Sequence, residues 1–280
     1  MSSNKIAVVT GSNKGIGYAI VKGLCEKFNG VVYLTARDVG RGEAAVNKLK
    51  ELGFNPLFHQ LDVTDQSSVD KFKEYIKSKH EGIDILVNNA AIAFKNNATE
   101  PFGQQAEETI KVNYFATLRV SEALFPLLRN NAKVVNISSS SGHLSRIPSE
   151  DLRAKLGDST LTIPDLNKLM EKFVKDAKDD KAYSEGWGRS AYVVSKVGVS
   201  ALTFAQQRLF DNEQPNRNIA VNVVHPGYVV TDMTSQTGHL TTEEGAKAPL
   251  YLALEADFKG KYVWYDSQIV DWYGTTPSQY

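Results

Sequence analysis

The sequence predicts an α/β fold built on a doubly wound parallel sheet, and three observations carry that expectation. Short runs that are apolar throughout recur along the chain, amphipathic helical patterns separate them, and a glycine-rich turn joins the first run to the first helix. Strands buried on both faces read as continuous apolar runs, and parallel strands need the crossovers that helices supply. Right-handed crossovers then place helices on both sides of one sheet.

The elements follow in order. KIAVVT (5–10) is the first strand, followed by a helix through Ile16, Ile20, Val21, Leu24 and Phe28. VVYLTA (31–36) is the second, with a helix presenting Ala44, Ala45, Leu49 and Leu52. PLFHQL (56–61) is the third, and a helix through Val69, Phe72 and Ile76 leads to the fourth, IDILVNNA (83–90). One long helix is expected from about 104 to 128, then the strand KVVNIS (133–138). The rhythm breaks over 141–188, where charge is plentiful and no strand is evident. Leu166, Leu169, Met170, Phe173, Val174 and Ala177 step there by three and four, an amphipathic helix whose first turn suits Pro164. A helix over 190–210, the strand IAVNVVH (219–225), a helix over 242–254 and a last strand near 261–265 complete the pattern. The reading is one domain over 1–280 with a helical insertion at 141–188.

Lys plus Arg (32) equals Asp plus Glu (32), so no net field draws the chain to nucleic acid or anionic lipid. One cysteine, Cys25, rules out an intramolecular disulfide and points to a reducing compartment; its spacing with Val21, Leu24 and Phe28 reads as core. No secretory h-region and no run long enough to span a bilayer is present, so the cytosol is the expected location. The five histidines are scattered, without H-E-x-x-H or a Cys/His cluster, so no metal is expected. G-x-S-x-G is absent despite the run Ser138–Ser141, which counts against a serine hydrolase.

Gly11, Gly15 and Gly17 stand in TGSNKGIG between the first strand and the first helix. Glycine lets backbone N–H groups approach a pyrophosphate, and the helix N-terminus adds partial positive charge. An NAD enzyme places an acid at the end of the second strand, whereas Ala36 and Arg37 stand there. Arg37, with Lys14 as a second cation, suits the 2′-phosphate of NADP, against the alternative that both are ordinary surface charges. Tyr192 and Lys196, in AYVVSK, share one helix face, where an ammonium favours a phenolate and lowers its pKa. The serines ending the fifth strand and Asn88–Asn89 ending the fourth fall at the ligand-binding edge of such a sheet.

TGxxxGIG, NNA, NISS, Y-x-x-x-K and Pro226–Gly227 occur in the order found in short-chain dehydrogenases/reductases, a Rossmann-fold superfamily that the chain resembles over most of its length. TGSNKGIG, LTARD, FHQLDVTD, ILVNNAAIAFK and EGWGRSAYVVSKVGV look more closely like the monomeric NADPH carbonyl reductases of animals. The resemblance implies that Tyr192 protonates a carbonyl oxygen, that Lys196 holds the nicotinamide ribose and lowers the Tyr192 pKa, and that Ser139 hydrogen-bonds the carbonyl. It implies that Asn113 supports a water linking Lys196 to solvent. NADPH/NADP+ is the implied cofactor, held by the glycine turn with Asn13 and Ile16, by Arg37, Asp62, Val63 and Asn89, and by Pro226, Gly227, Val229 and Thr231. Small carbonyl compounds are the implied substrates, with Ser140, Tyr228 and Met233 in the pocket wall and 226–241 as the substrate loop. Phe94, Lys95 and Gln105 resemble positions near a groove that accepts glutathione conjugates. Ala91 departs from the family's usual glycine, and its methyl group would stand near the cofactor.

Competing readings are a dedicated steroid, prostaglandin or pterin dehydrogenase, and a regulator that binds NADPH without turnover. Ser139 and Tyr192 lie 53 positions apart, far more than in compact members, and the segment between them carries the amphipathic helix. That helix is expected to cover the helix bearing Tyr192, whose outer face makes the oligomer interface in tetrameric relatives, so a monomer is expected.

Overall fold

The computed structural model describes residues 4–95 and 97–275. Its first half runs β1 (Lys5–Val9), α1 (Gly15–Lys27), β2 (Gly30–Ala36), α2 (Val39–Glu51), β3 (Leu57–Gln60), α3 (Gln66–Lys79), β4 (Ile83–Asn88), α4 (Phe102–Ile110) and α5 (Ala116–Leu124). The second half runs β5 (Leu128–Ile137), α6 (Glu150–Leu156), α7 (Ile163–Lys178), α8 (Ala191–Asp211), β6 (Ala220–Val224), α9 (Thr242–Leu254), β7 (Tyr262–Val263) and β8 (Ile269–Val270). The strands form one sheet in the order β3-β2-β1-β4-β5-β6-β7-β8. Neighbours are parallel up to β7, and β8 closes the edge antiparallel to it.

Both faces of the sheet are dry because successive side chains alternate between two apolar layers. Ala7 and Val9 of β1 join α1, α2 and α9 through Ile20, Leu24, Leu49 and Ala253. Ile6 and Val8 point the other way, toward Val69, Phe72 and Ile76 of α3 and Val120 of α5. The fold is the α/β doubly wound architecture that the apolar runs predict.

Local departures have physical reasons. The expected helix over 104–128 is not uniform: α4 and α5 flank one π-helical turn, Lys111–Phe115, and a 3₁₀ turn, Phe125–Leu127, delivers the chain straight into β5. That strand accordingly begins at Leu128, five residues before the expected 133. On α2 the buried face is Ala45, Val46 and Leu49, while Ala44 is exposed and Leu52, at the C-cap, is 59% exposed. The short elements α6 and β8 lack enough length for a periodic signal and were not expected.

Helix α7 lies in the segment between β5 and α8 and packs on α4 and α8. Leu166, Met170 and Phe173 are fully buried. Backbone proximity is set by two glycines: a Cβ at Gly198 of α8 would stand 2.7 Å from Met170 Sδ, and one at Gly103 of α4 would stand 2.8 Å from Lys178 Cα. Phe173 meets Phe102 edge-on at 6.2 Å and Trp187 at 5.5 Å. Each such burial stabilises by about 2–3 kcal/mol, whereas an exposed pair such as Lys168–Asp165 is screened by solvent and adds little. Packing therefore holds α7 in place. Phe173→Ala should cost about 3–5 kcal/mol in urea denaturation, and Lys168→Ala should leave the urea midpoint nearly unchanged. Equal losses would show that surface charge anchors the helix.

Candidate active site

The loops leaving β1, β4, β5 and β6 meet at the carboxyl edge of the sheet, the ligand-binding edge of an open α/β fold. In the turn after β1, Ser12 is buried, donating to the Val9 carbonyl at 2.8 Å and receiving the Thr35 carbonyl on its own N–H at 2.9 Å. Gly11 has φ +60°, and a Cβ there would stand 2.8 Å from Ala90 Cα, so no other residue fits. The Asn89 amide donates to the carbonyls of Thr10 and Gly11 at 2.9 and 3.0 Å, which ties the end of β4 to the turn. A Cβ at Gly17 would collide with that amide at 2.4 Å.

In front of Gly15 a Cβ would meet only Thr231 Cγ2, at 3.6 Å. Lys14, at the N-cap of α1, makes no side-chain cap, so the first helical N–H groups keep their donors for whatever occupies the crevice. The crevice runs from Gly11, Gly15, Ile16 and Gly17 past Asn89 and Ala91 to Ser139, Tyr192 and Lys196. Open space, uncapped donors and the absence of an acid in the turn fit a dinucleotide pyrophosphate.

At the far end stand Ser139, Tyr192 and Lys196. Ser139 caps the 3₁₀ turn Ser140–Gly142, its Oγ accepting from the Ser141 N–H at 3.2 Å. That leaves its own proton to donate, and it meets the Tyr192 phenol. Lys196, one turn along α8, is 3% exposed and donates from Nζ to the Ile137 carbonyl at 2.9 Å. Its Nζ lies 5.7 Å from the Tyr192 ring centroid. Burial lowers the Lys196 ammonium to about 8. Burial also raises the Tyr192 phenol above its ordinary value, and only the Ser139 hydrogen bond opposes this. The Lys196 ammonium is itself desolvated and spends a donor on β5.

Asn113 occupies the middle of the π turn and is buried. Its Oδ1 accepts from the Ile92 N–H at 2.8 Å, and its Nδ2 donates to the Ile92 carbonyl and Ser195 Oγ, both at 3.0 Å. The extra residue of a π turn re-aims one side chain, here into the gap between the loop after β4 and α8.

Two lysines strap the loop after β6 across the crevice. Lys14 pairs with the Asp232 carboxylate at 2.7 Å, and Lys95 donates to the Asp232 carbonyl, to the Met233 carbonyl at 3.4 Å and to Ser235 Oγ at 2.9 Å. Lys14, expected as a second cation for the cofactor phosphate, lines the crevice and pairs there with Asp232. Lys95, expected near a substrate groove, lines the crevice while donating to the loop's carbonyls and to Ser235. Gln105 donates to the Glu100 carbonyl at 2.8 Å and does not line the crevice. Phe94 and Lys95 do line it, so of the three residues expected near a glutathione groove Gln105 alone lies off its walls.

Ser140, Tyr228, Met233, Pro226, Gly227, Val229 and Thr231 all line the crevice. Arg37 is exposed at the end of β2, while Asp38 caps α2 by accepting from the Arg41 N–H at 2.8 Å. Burial would raise the Asp62 carboxyl, but hydrogen bonds from Thr64 and the charges of Arg37 and Lys111 hold it below its ordinary value. Val63 packs into the core with its carbonyl accepting from Arg119 at 3.2 Å, away from the crevice walls. Asn13 sits half-buried in the glycine turn. No group of three or more His, Cys, Asp or Glu residues suited to a metal occurs among the described residues. Asp232 escaped sequence reasoning, since an exposed aspartate in a polar loop carries no periodic signal.

Residues 5–149 match the short chain dehydrogenase family. "Carbonyl reductase [NADPH] 3" of Mus musculus is 47% identical over 255 residues, covering 90% of this chain and 92% of that protein. The chain belongs to the short-chain dehydrogenase family. "Carbonyl reductase [NADPH] 1" of Bos taurus is 43% identical over 276 residues, covering 97% of this chain and 99% of that protein. Among solved structures, salutaridine reductase from Papaver somniferum superposes with a TM-score of 0.83 at 34% identity, over 94% of this chain and 99% of that one. An NADPH-bound carbonyl reductase from chicken fatty liver shares the fold, with a TM-score of 0.69 at 24% identity over 97% of this chain and 100% of that chain.

The burial of Lys196 has a measurable signature. A lysine at about 8 when folded and near 10.4 when unfolded makes the unfolded chain bind more protons between those values, so folding stability rises with pH across that window. The cost of the buried ammonium, on the order of 3 kcal/mol, is fully present below pH 8. The stability difference between Lys196→Met and the unliganded wild type should therefore shift by about that amount in favour of wild type from pH 7 to pH 10. A pH-independent difference in urea melts would contradict the assignment.

Proposed function

We propose that this chain is an NADPH-dependent carbonyl reductase that converts aldehydes, ketones and quinones to alcohols or hydroquinones. The observation that carries the reading is the meeting of Ser139, Tyr192 and Lys196 at the inner end of a crevice that begins at the glycine turn. A carbonyl oxygen seated between the Ser139 hydroxyl and the Tyr192 phenol receives two donors. Both are preorganised, one by the 3₁₀ turn and one by α8, so little reorganisation is needed as negative charge grows on the oxygen. Tyr192 then gives up its proton as general acid. Its raised pKa keeps the phenol protonated at neutral pH, the state that reduction requires. NADPH, when bound, supplies the hydride.

Lys196 holds the nicotinamide ribose, and Asn113 orders the route by which water restores its proton. Arg37 takes the 2′-phosphate. Asp38, the acid that would suit a ribose hydroxyl, is spent on the α2 cap, which supports the NADP preference. Crevice residues Phe94, Ser140, Tyr228 and Met233 contact the substrate. The same reading takes the protein as a cytosolic monomer, supported by α7 lying over α4 and α8 and by a single thiol that burial pushes up to about 11.

Tyr192→Phe should lower kcat by about 10²–10⁴-fold with a quinone, an aromatic aldehyde or a steroid ketone, the range expected for loss of a general acid. NADPH affinity, read by fluorescence titration, should stay within about two-fold. Near-normal turnover would sink the mechanism, and turnover of the steroid alone would narrow it to a dedicated dehydrogenase. Arg37→Asp should cut the preference for NADPH over NADH by roughly 10- to 100-fold, as expected for losing a charge-assisted bond. An unchanged preference would remove Arg37 from the cofactor site.

A further inference from the structure

The turn that carries Ser139 is held from a distant part of the chain. Tyr262 donates its hydroxyl to the Ser139 carbonyl at 2.6 Å. Trp272 donates its indole N–H to the Gly142 carbonyl at 2.7 Å. His143 Nε2 meets the Asp271 carbonyl at 2.9 Å, which fixes its proton on Nε2 and leaves Nδ1 to accept from Ser145. Tyr262, Trp272 and His143 are each at most 2% exposed, so these bonds exclude water.

Tyr262 is well placed to impose geometry. It lies within the sheet, paired with Val223 of β6 on one side and Val270 of β8 on the other, so the phenol projects from a fixed strand. The Ser139 carbonyl accepts a second donor, the Gly142 N–H at 2.8 Å, which closes the 3₁₀ turn. Gly142 is itself pressed on α8, where a Cβ would stand 2.1 Å from Ser138 Oγ and 2.8 Å from the Lys196 carbonyl. The turn is thus gripped between α8 on one side and the β7–β8 segment on the other.

We propose that Tyr262 is a positioning residue for the reaction: its hydroxyl, bonded to the Ser139 carbonyl, holds the backbone orientation that aims the Ser139 hydroxyl at Tyr192 and the substrate oxygen. This rests on the assignment of Ser139 as a donor to that oxygen. Phenylalanine fills the same space without the donor, so Tyr262→Phe tests orientation with little change in packing. Misplacement of a reacting group by a fraction of an ångström is costly, and kcat should fall about ten-fold. The KM for NADPH should stay within about two-fold, because the glycine turn lies at the other end of the crevice. The alkaline limb of the kcat profile should move to higher pH, since the Ser139 hydrogen bond that holds the phenol down is weakened.

Ser139→Ala supplies the control. In that background Tyr262→Phe should change the residual rate less than about two-fold, because the group it positions is gone. If Ser139→Ala retains wild-type activity, the role of Ser139 is wrong. If Ser139→Ala is crippled and Tyr262→Phe keeps both the wild-type kcat and the wild-type pH limb, the positioning role is overturned. Equal losses in both backgrounds overturn it too, since they mark a general effect on the fold. Should Tyr262→Phe not accumulate as folded protein, Trp272→Phe removes the neighbouring tether at Gly142 and is read by the same kcat and pH limb.

Discussion

A lysine ammonium taken out of water has to find acceptors, and Lys196 finds one in the carbonyl of Ile137 at the last residue of β5. That bond joins α8 to the sheet at the point where the strand gives way to the serine turn. Because the ammonium is pinned, its neighbours on α8 are pinned as well: Tyr192 one turn earlier, Ser195 beside it receiving the Asn113 amide, and the Lys196 carbonyl accepting from Ser138 and Ser200. Burial of one charge is destabilising by itself. It persists because the ammonium is hydrogen-bonded to the Ile137 carbonyl and α8 is packed against β5 and β6.

The same burial sets the acid-base character of the site. A phenol in a dry pocket resists ionising, and an ammonium in the same pocket gives up its proton more readily than in water. The two residues are therefore tuned toward neutrality together, and Ser139 supplies the one local counterweight on the phenol. A carboxylate beside them would disturb both, and among the described residues none shares the lining around Ser139, Tyr192 and Lys196. Asp62 keeps its charge outside the pocket, against Thr64.

What the sequence disclosed was whatever is written in local spacing. Apolar runs located seven of the eight strands because a doubly buried strand has few alternatives, and α7 was visible because Leu166, Met170, Phe173 and Ala177 step around one face. Tyr192 and Lys196 share a face of α8 for the same reason, and Gly11 and Gly17 stand where a methyl group would strike Ala90 or the Asn89 amide. Features set by partners remote in the chain were hidden. The π turn at Asn113 depends on Ile92 and Ser195, and nothing in KVNYF announces an extra residue in the helix beyond a poor helix former at its centre. Lys14 and Lys95 line the crevice, but their bonds to the loop over 232–235 join residues more than 130 positions apart and carry no local signal. Val63 follows a motif aspartate and packs, partly buried, against the layer that holds Leu61 and Phe72.

The bond between Tyr262 and Ser139 spans 123 positions, and that between Trp272 and Gly142 spans 130. During synthesis the glycine turn, the reactive helix and most of the sheet emerge before either tether exists. A nascent chain can bury its core and form its cofactor crevice while the serine turn is still held only by its own short-range bonds. Proficiency is then the last property the polypeptide acquires, added when β7 and β8 close the edge of a sheet already assembled.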